Sequence, residues 1–199
     1  MAPGTTRNGT RRSERSRVAI LTATRELIGE VGYAKLTIEA IAARAGVGKQ
    51  TIYRWWPSKG AVVFDSLLAL GEAPDGGREL PDTGDVEADL KAVLRATAAE
   101  FSDPAFEAPI RALNTEIIND PELAALYREK MEGPTRAAKL RRLRSARDAG
   151  QLAADADLDL LVDLLFAPLA QRWLLRSGPL DDDFADALVD AALRAFRPA

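Results

Sequence analysis

Apolar residues recur at three- and four-residue spacing along most of the chain, and nowhere do they alternate for long enough to make a strand. Ile20, Thr24, Leu27, Ile28 and Val31 make the first such face, on a helix that the pattern starts at Ser13 and that Gly32 ends by supplying a left-handed residue. Thr37 caps a second helix, with Ile38, Ile41 and Ala42 inward and Glu39 in the positively polarised first turn. That helix stops at Gly46, and a short third one runs from about Lys49 to Trp56. Pro57 and Ser58 then break the chain, and Ser58 caps a fourth helix bearing Val62, Val63, Leu67 and Leu70.

Residues 71–84, GEAPDGGRELPDTG, hold four glycines and two prolines and mark a domain boundary. Beyond them the spacing predicts helices near 85–101, 105–118, 121–149, 158–176 and 182–196, with Asp103-Pro104 and Asp120-Pro121 as starts and Gly150 and Gly178 as stops. The expectation is an all-α fold of about nine helices: an arm over 1–12, a helix-turn-helix domain over 13–70, a linker over 71–84, and a ligand-binding and dimerisation domain over 85–199. The arm, MAPGTTRNGTRR, lacks an apolar period and reads as disordered and basic, either a solvated tail or a contact beside the main DNA site.

The informative stretch is Thr37 to Lys59, TIEAIAARAGVGKQTIYRWWPSK. Two helices that cross steeply around a tight turn need a small residue where they touch, a glycine where φ is positive, and apolar inner faces. Ala42, Gly46 and the set Ile41, Ala45, Val47 and Ile52 meet those needs at the right offsets. The outward residues of the third helix are then Gly48, Lys49, Gln50, Tyr53 and Arg54, with Thr51 at the margin. Lys49 can donate to guanine O6 and N7, and Gln50 can pair with adenine. Gly48 would let the backbone approach DNA, and Thr37 and Lys59, each starting a helix, could hold phosphates.

This stretch, with Val62 and Val63 after it, resembles the N-terminal signature of the tetracycline-repressor (TetR) family, and the likeness extends over about residues 16–70. The resemblance implies DNA contacts at Thr37, Lys49, Thr51, Tyr53, Arg54, Trp55 and Lys59, and a core role for Trp56. It also implies a homodimer bound to a double-stranded DNA operator. Gly60 departs from the pattern, which often has Glu there, and a glycine in the first turn should loosen the fourth helix by about 1 kcal/mol relative to alanine.

Charge sharpens the picture. Residues 1–59 carry eleven basic and four acidic residues, a net of +7, which leaves the remainder at −10 within a total of −3. One end suits a polyanion and the other avoids it. The chain has no cysteine and no histidine, which excludes thiol nucleophiles and the commonest general base and metal ligand. Glu107 and Glu116 are nine residues apart and do not share a helix face, so no catalytic pair emerges and an enzyme is not expected. Nor is a cofactor, a metal site or a membrane association; a cytoplasmic location is.

Pro134 and Pro168 interrupt helices and should bend them, leaving the carbonyls of Lys130 and Leu164 unpaired. A pocket for a small, apolar ligand is expected between the segments near 105–131 and 160–176, lined by Asn114, Thr115, Tyr127, Met131, Phe166 and Trp173. Leu161, Leu164, Leu165, Leu188, Ala191, Ala192 and Phe196 form apolar stripes that suggest the dimer surface. The basic run 136–147 reads as a solvated face answered by Asp148, Asp155 and Asp157. The functional expectation is a sequence-specific repressor released from a palindromic operator by ligand. A constitutive dimeric DNA-binding protein, or an activator without a ligand, fits the same residues.

Overall fold

The computed structural model describes the backbone of residues 6–71 and 79–198, and among these residues every regular element is a helix. In chain order they are α1 (Thr6–Lys35), α2 (Ile38–Ala45), α3 (Lys49–Tyr53), α4 (Lys59–Gly71), α5 (Val86–Ser102), α6 (Pro104–Asn119), α7 (Pro121–Tyr127), a π-helical turn (Arg128–Glu132), α8 (Gly133–Asp148), α9 (Leu158–Leu175) and α10 (Asp182–Phe196). The chain divides into two compact units, the first made of Met1–Ala73 with Ala108–Tyr127 and the second of Pro74–Glu107 with Arg128–Ala199.

In the first unit α1 lays Ile20, Leu21, Leu27 and Ile28 against α2 and α4. Thr24 is buried in the same face without a stranded hydroxyl, because its O–H donates to the Ile20 carbonyl one turn back at 2.8 Å. Gly32 breaks α1 at φ 74 and ψ 164, a backbone region essentially confined to glycine. Val31, expected on the inner face, is exposed beside this break. The helix begins at Thr6, so residues 6–12 of the expected disordered arm are helical; once a helix is nucleated, arginine extends it at little cost. Residues 1–5 of that arm lie outside the described residues.

Residues 108–127, expected within the domain over 85–199, pack with the first unit. Local packing explains why. Leu123 of α7 reaches so close to Gly60 that an added Cβ would lie 2.8 Å from its Cδ2, and the Tyr127 ring meets Phe64 edge-on at 6.2 Å. The glycine that sequence reasoning treated as a defect is therefore a seat for a leucine.

The second unit closes around Val86, Leu90 and Leu94 of α5, Leu143 and Ala146 of α8, Leu161, Val162 and Leu165 of α9, and Val189, Ala192 and Leu193 of α10. Leu161, Leu165 and Ala192, expected at a dimer surface, are thus taken up by the unit's own core, and Leu188 and Phe196 pack partly buried against it. Of the seven expected positions only Leu164 and Ala191 stay exposed. A helical stripe has two flanks, and the bundle of the same chain claims the nearer one first.

The basic run on α8 is also only partly a solvated face. Arg142 is buried and donates to the Asp89 carboxylate through Nη2 at 2.6 Å and Nε at 3.1 Å, and through Nε to the Pro81 carbonyl at 2.9 Å. Thr83 completes the site, its N–H and O–H donating to Asp89 at 3.0 and 2.7 Å, so the end of the linker is fastened to the second unit. Arg136 pairs with Asp159 and Asp163 rather than with the acids expected from sequence. Pro134 follows a π turn that widens the chain, and it falls in the first turn of α8. Pro168 lies inside α9 as expected, and Pro109 does the same in α6.

Candidate DNA-binding surface

Thr37 sets the start of α2, its backbone extended at φ −130 and ψ 152 and its hydroxyl accepting from the Ala40 N–H at 3.1 Å. Gly46 closes the helix in the left-handed region at φ 66 and ψ 33. The Val47 N–H then donates to the Ala42 carbonyl at 3.0 Å, completing the turn. Gly48 precedes α3 at φ −78 and ψ 148, a conformation open to any residue, with nothing within 4 Å of an added Cβ. Glycine there leaves open surface rather than satisfying the backbone.

Buried Ile41, Ala42 and Ile52 hold α2 and α3 together, with Ala45 and Val47 half-buried around them. Trp56 plugs the base, 3% exposed, and its indole N–H donates to Asp65 at 2.8 Å. Ser58 caps α4 by accepting from the Ala61 N–H at 3.2 Å. With Ile52 turned in, α3 presents Lys49, Gln50, Tyr53 and Arg54 to solvent, Tyr53 at 54% exposure, while Thr51 and Trp55 are half-buried.

Two charged groups here have partners that the sequence reading did not foresee. Lys59 points back into the unit, its ammonium donating to the carbonyls of Tyr33 at 3.1 Å and Leu36 at 3.2 Å. Lys49 donates to the Glu39 carboxylate at 2.8 Å, an exposed pair that raises the lysine's pKa and lowers the glutamate's through the hydrogen bond between them. Sequence reasoning gave Glu39 only a helix-dipole role. The ten-residue separation across the turn hides the pairing until the crossing of α2 and α3 is known.

The expected ligand-lining residues fall in both units. In the first, the Asn114 amide donates to the Ile110 carbonyl at 2.9 Å, Thr115 donates to Arg111 at 3.0 Å, and Tyr127 abuts Phe64. In the second, Met131 sits in the π turn, Phe166 lies 3.3 Å beneath the Lys139 ammonium, and Trp173 stacks on Phe101 at 4.9 Å. Burial beside Phe166, with Arg136 near, pushes Lys139 down to about 8.

Two short helices with a capped start, a left-handed turn glycine between them and a polar outer face on the second define a DNA-binding transcriptional regulator of the helix-turn-helix kind. Residues 20–65 match bacterial regulatory proteins of the tetR family, and residues 80–192 match the tetracyclin repressor-like C-terminal domain. The chain belongs to this family, whose members bind DNA and are dimers. It is 32% identical to the HTH-type transcriptional regulator YdeS of Bacillus subtilis (strain 168), over 96% of this chain and 94% of YdeS. It is 30% identical to the DNA-binding transcriptional repressor TetR of Mycobacteroides abscessus, over 92% of this chain and 94% of that protein. Among solved structures, the TetR family transcription regulator SCO0332 superposes with a TM-score of 0.72 at 38% identity, covering 92% of this chain and 99% of that one. Among the described residues, no helix is long and apolar enough to cross a membrane.

Proposed function

We propose that this protein is a homodimeric repressor that holds a palindromic operator in double-stranded DNA and is released from it by a small apolar ligand. The observation that carries the reading is the exposed row Lys49, Gln50, Tyr53 and Arg54 on a helix whose inner side is anchored by Ile52. In this reading α3 enters the major groove, Lys49 and Gln50 meet base edges, and Tyr53, Arg54 and Trp55 meet flanking phosphates. Gly48 allows close approach, and Thr37 and Thr51 contact the backbone at the edges. Lys59 acts indirectly, by fixing the start of α4. The relative in Mycobacteroides abscessus is named a repressor, which favours repression over activation.

The dimer forms through what the second unit's core leaves uncovered: Leu160 and Leu164 of α9 beside Ala187 and Ala191 of α10, paired with their copies in a four-helix interface. The ligand sits in the second unit against Met131, Phe166 and Trp173, where the Trp173–Phe101 stack continues to Phe106 at 6.4 Å and offers aromatic wall. Asn114 and Thr115 bond within their own helix in the first unit, and Tyr127 packs on Phe64 of α4. By linkage, a ligand that favours a form with altered recognition-helix spacing weakens DNA binding to the same extent that DNA weakens ligand binding.

The test is selection of bound sequences from random duplex DNA at near-physiological salt, followed by a small-molecule screen for raised melting temperature. The expected result is a palindrome with half-site centres about 34–36 Å apart or a multiple of it, and hits that release that DNA. No sequence enrichment would overturn the operator reading. Stabilising ligands that leave DNA binding intact would overturn release.

A further inference from the structure

The first turn of α2 places a carboxylate on the same surface as the proposed base-reading lysine. Glu39 and Lys49 meet at 2.8 Å with side chains 62% and 53% exposed. As a structural pair this contact is worth little, because water and salt screen an exposed ion pair and holding two long side chains in one geometry costs entropy. Against DNA it is worse than neutral unless used. A duplex carries one negative charge per about 1.7 Å of axis, so a carboxylate aimed at the backbone is repelled.

Base edges are different. In the major groove only the cytosine N4 and adenine N6 amino groups offer a carboxylate a donor, while an ammonium needs acceptors, supplied best by guanine O6 and N7 side by side. In a C·G pair the cytosine N4 and guanine O6 are hydrogen-bonded to each other, hence about 2.9–3.0 Å apart. The acceptor and donor that Glu39 and Lys49 present are 2.8 Å apart, the complement of that edge in both spacing and polarity. An A·T pair offers the same order of amino and carbonyl groups, but there the ammonium meets one thymine oxygen flanked by a methyl group in place of two acceptors. The pair also fixes the head of a flexible lysine before DNA arrives, which lowers the entropy lost on binding.

We propose that Glu39 and Lys49 act as one specificity unit that reads a single C·G base pair in each half-site, the carboxylate on cytosine N4 and the ammonium on guanine. The inference rests on the operator-binding reading above and adds to it a residue and a base pair. Glu39 is the specificity-determining member, since Lys49 alone would accept guanine on either strand.

The experiment repeats the random-duplex selection with the full-length wild-type, Glu39→Ala and Glu39→Gln chains at one salt concentration. The wild type is expected to enrich C·G at one fixed position of each half-site. Glu39→Ala should lose about 5- to 150-fold of discrimination at that position and keep the others. Glu39→Gln should move the same position toward A·T, because glutamine pairs with adenine through N6 and N7. Unchanged melting curves for both variants are expected from an exposed pair. A wild-type palindrome whose every position survives Glu39→Ala, with affinity rising for all sequences alike, would overturn the base-reading pair and leave operator binding standing. Failure of the wild type to enrich any sequence would overturn both.

Discussion

Lys59 and Tyr33 are joined twice: the ammonium donates to the tyrosine's carbonyl oxygen at 3.1 Å and stands 3.9 Å from the centre of its ring. The same ammonium donates to the Leu36 carbonyl, so one lysine at the start of α4 satisfies two carbonyls at and beyond the break in α1. The phenol of Tyr33 is held well above its ordinary pKa by burial and by the Glu116 carboxylate beside it, and thus stays protonated. Lys59→Ala is therefore expected to lower stability by about 1–2 kcal/mol, the scale of charge-assisted hydrogen bonds at a part-exposed site. It should weaken binding to all duplexes while leaving the salt dependence unchanged. Melting curves and affinities at two salt concentrations test this. A salt slope reduced by about one with stability intact would show the ammonium reaching a phosphate instead.

Asp89 is 3% exposed and Arg142 is 4% exposed, so breaking their pair strands a charge. Asp89→Ala should cost about 3–5 kcal/mol, while Asp89→Leu combined with Arg142→Met should recover most of the loss. Burial pushes the Asp89 pKa up, but hydrogen bonds from Arg142 and Thr83 outweigh it and leave the carboxyl lowered. A lowered carboxylate stabilises above its unfolded pKa of about 3.9, and that contribution is lost as pH falls through the folded value. Acid melting curves of the wild type should therefore steepen below about pH 4, and those of the double variant should be flatter there.

Leu161 and Leu164 separate core from open surface within one turn of α9, the first 0% and the second 43% exposed. Leu164→Glu should give a folded monomer with weakened operator binding, measured by light scattering and circular dichroism. Leu161→Glu should unfold the second unit outright. A dimer that persists through Leu164→Glu and Leu160→Glu together would move the interface elsewhere.

Gly60→Ala sets two effects against each other. Alanine gains about 1 kcal/mol of helix propensity, but overpacking against Leu123 costs about 1–3 kcal/mol. Net destabilisation is expected. In a Leu123→Ala background the same change should become stabilising, and a double-mutant cycle of melting free energies measures the coupling.

The motif from Thr37 to Lys59 was legible because turn geometry is local: the Thr37 cap, the left-handed Gly46 and the buried Ile52 follow from chemistry within a few residues. Helix positions beyond the linker were legible for the same reason, set by proline starts, Asp caps and spacing. What failed depended on partners far along the chain. Nothing near Arg142 announces Asp89, which lies 53 residues away, and nothing near Gly60 announces Leu123. The leucines of α9 showed an apolar helix but not which flank its own bundle would claim. The carbonyl partners of Lys59 were not legible because a lysine opening a helix suits a phosphate and a carbonyl pair equally well.

The brevity of α3 has a consequence for how a genome can be searched. Five residues, Lys49–Tyr53, form less than two turns, and a recognition helix of that length can bring about three or four side chains to base edges, hence about three or four base pairs per protomer. A word of four letters recurs by chance about every 256 base pairs, whereas a bacterial chromosome offers on the order of a million or more competing positions. One protomer thus carries too little information to name an address. Doubling the word through two-fold symmetry brings chance recurrence to about one in 65,000, and the spacing between halves and the deformability of the intervening DNA must supply the remaining selectivity.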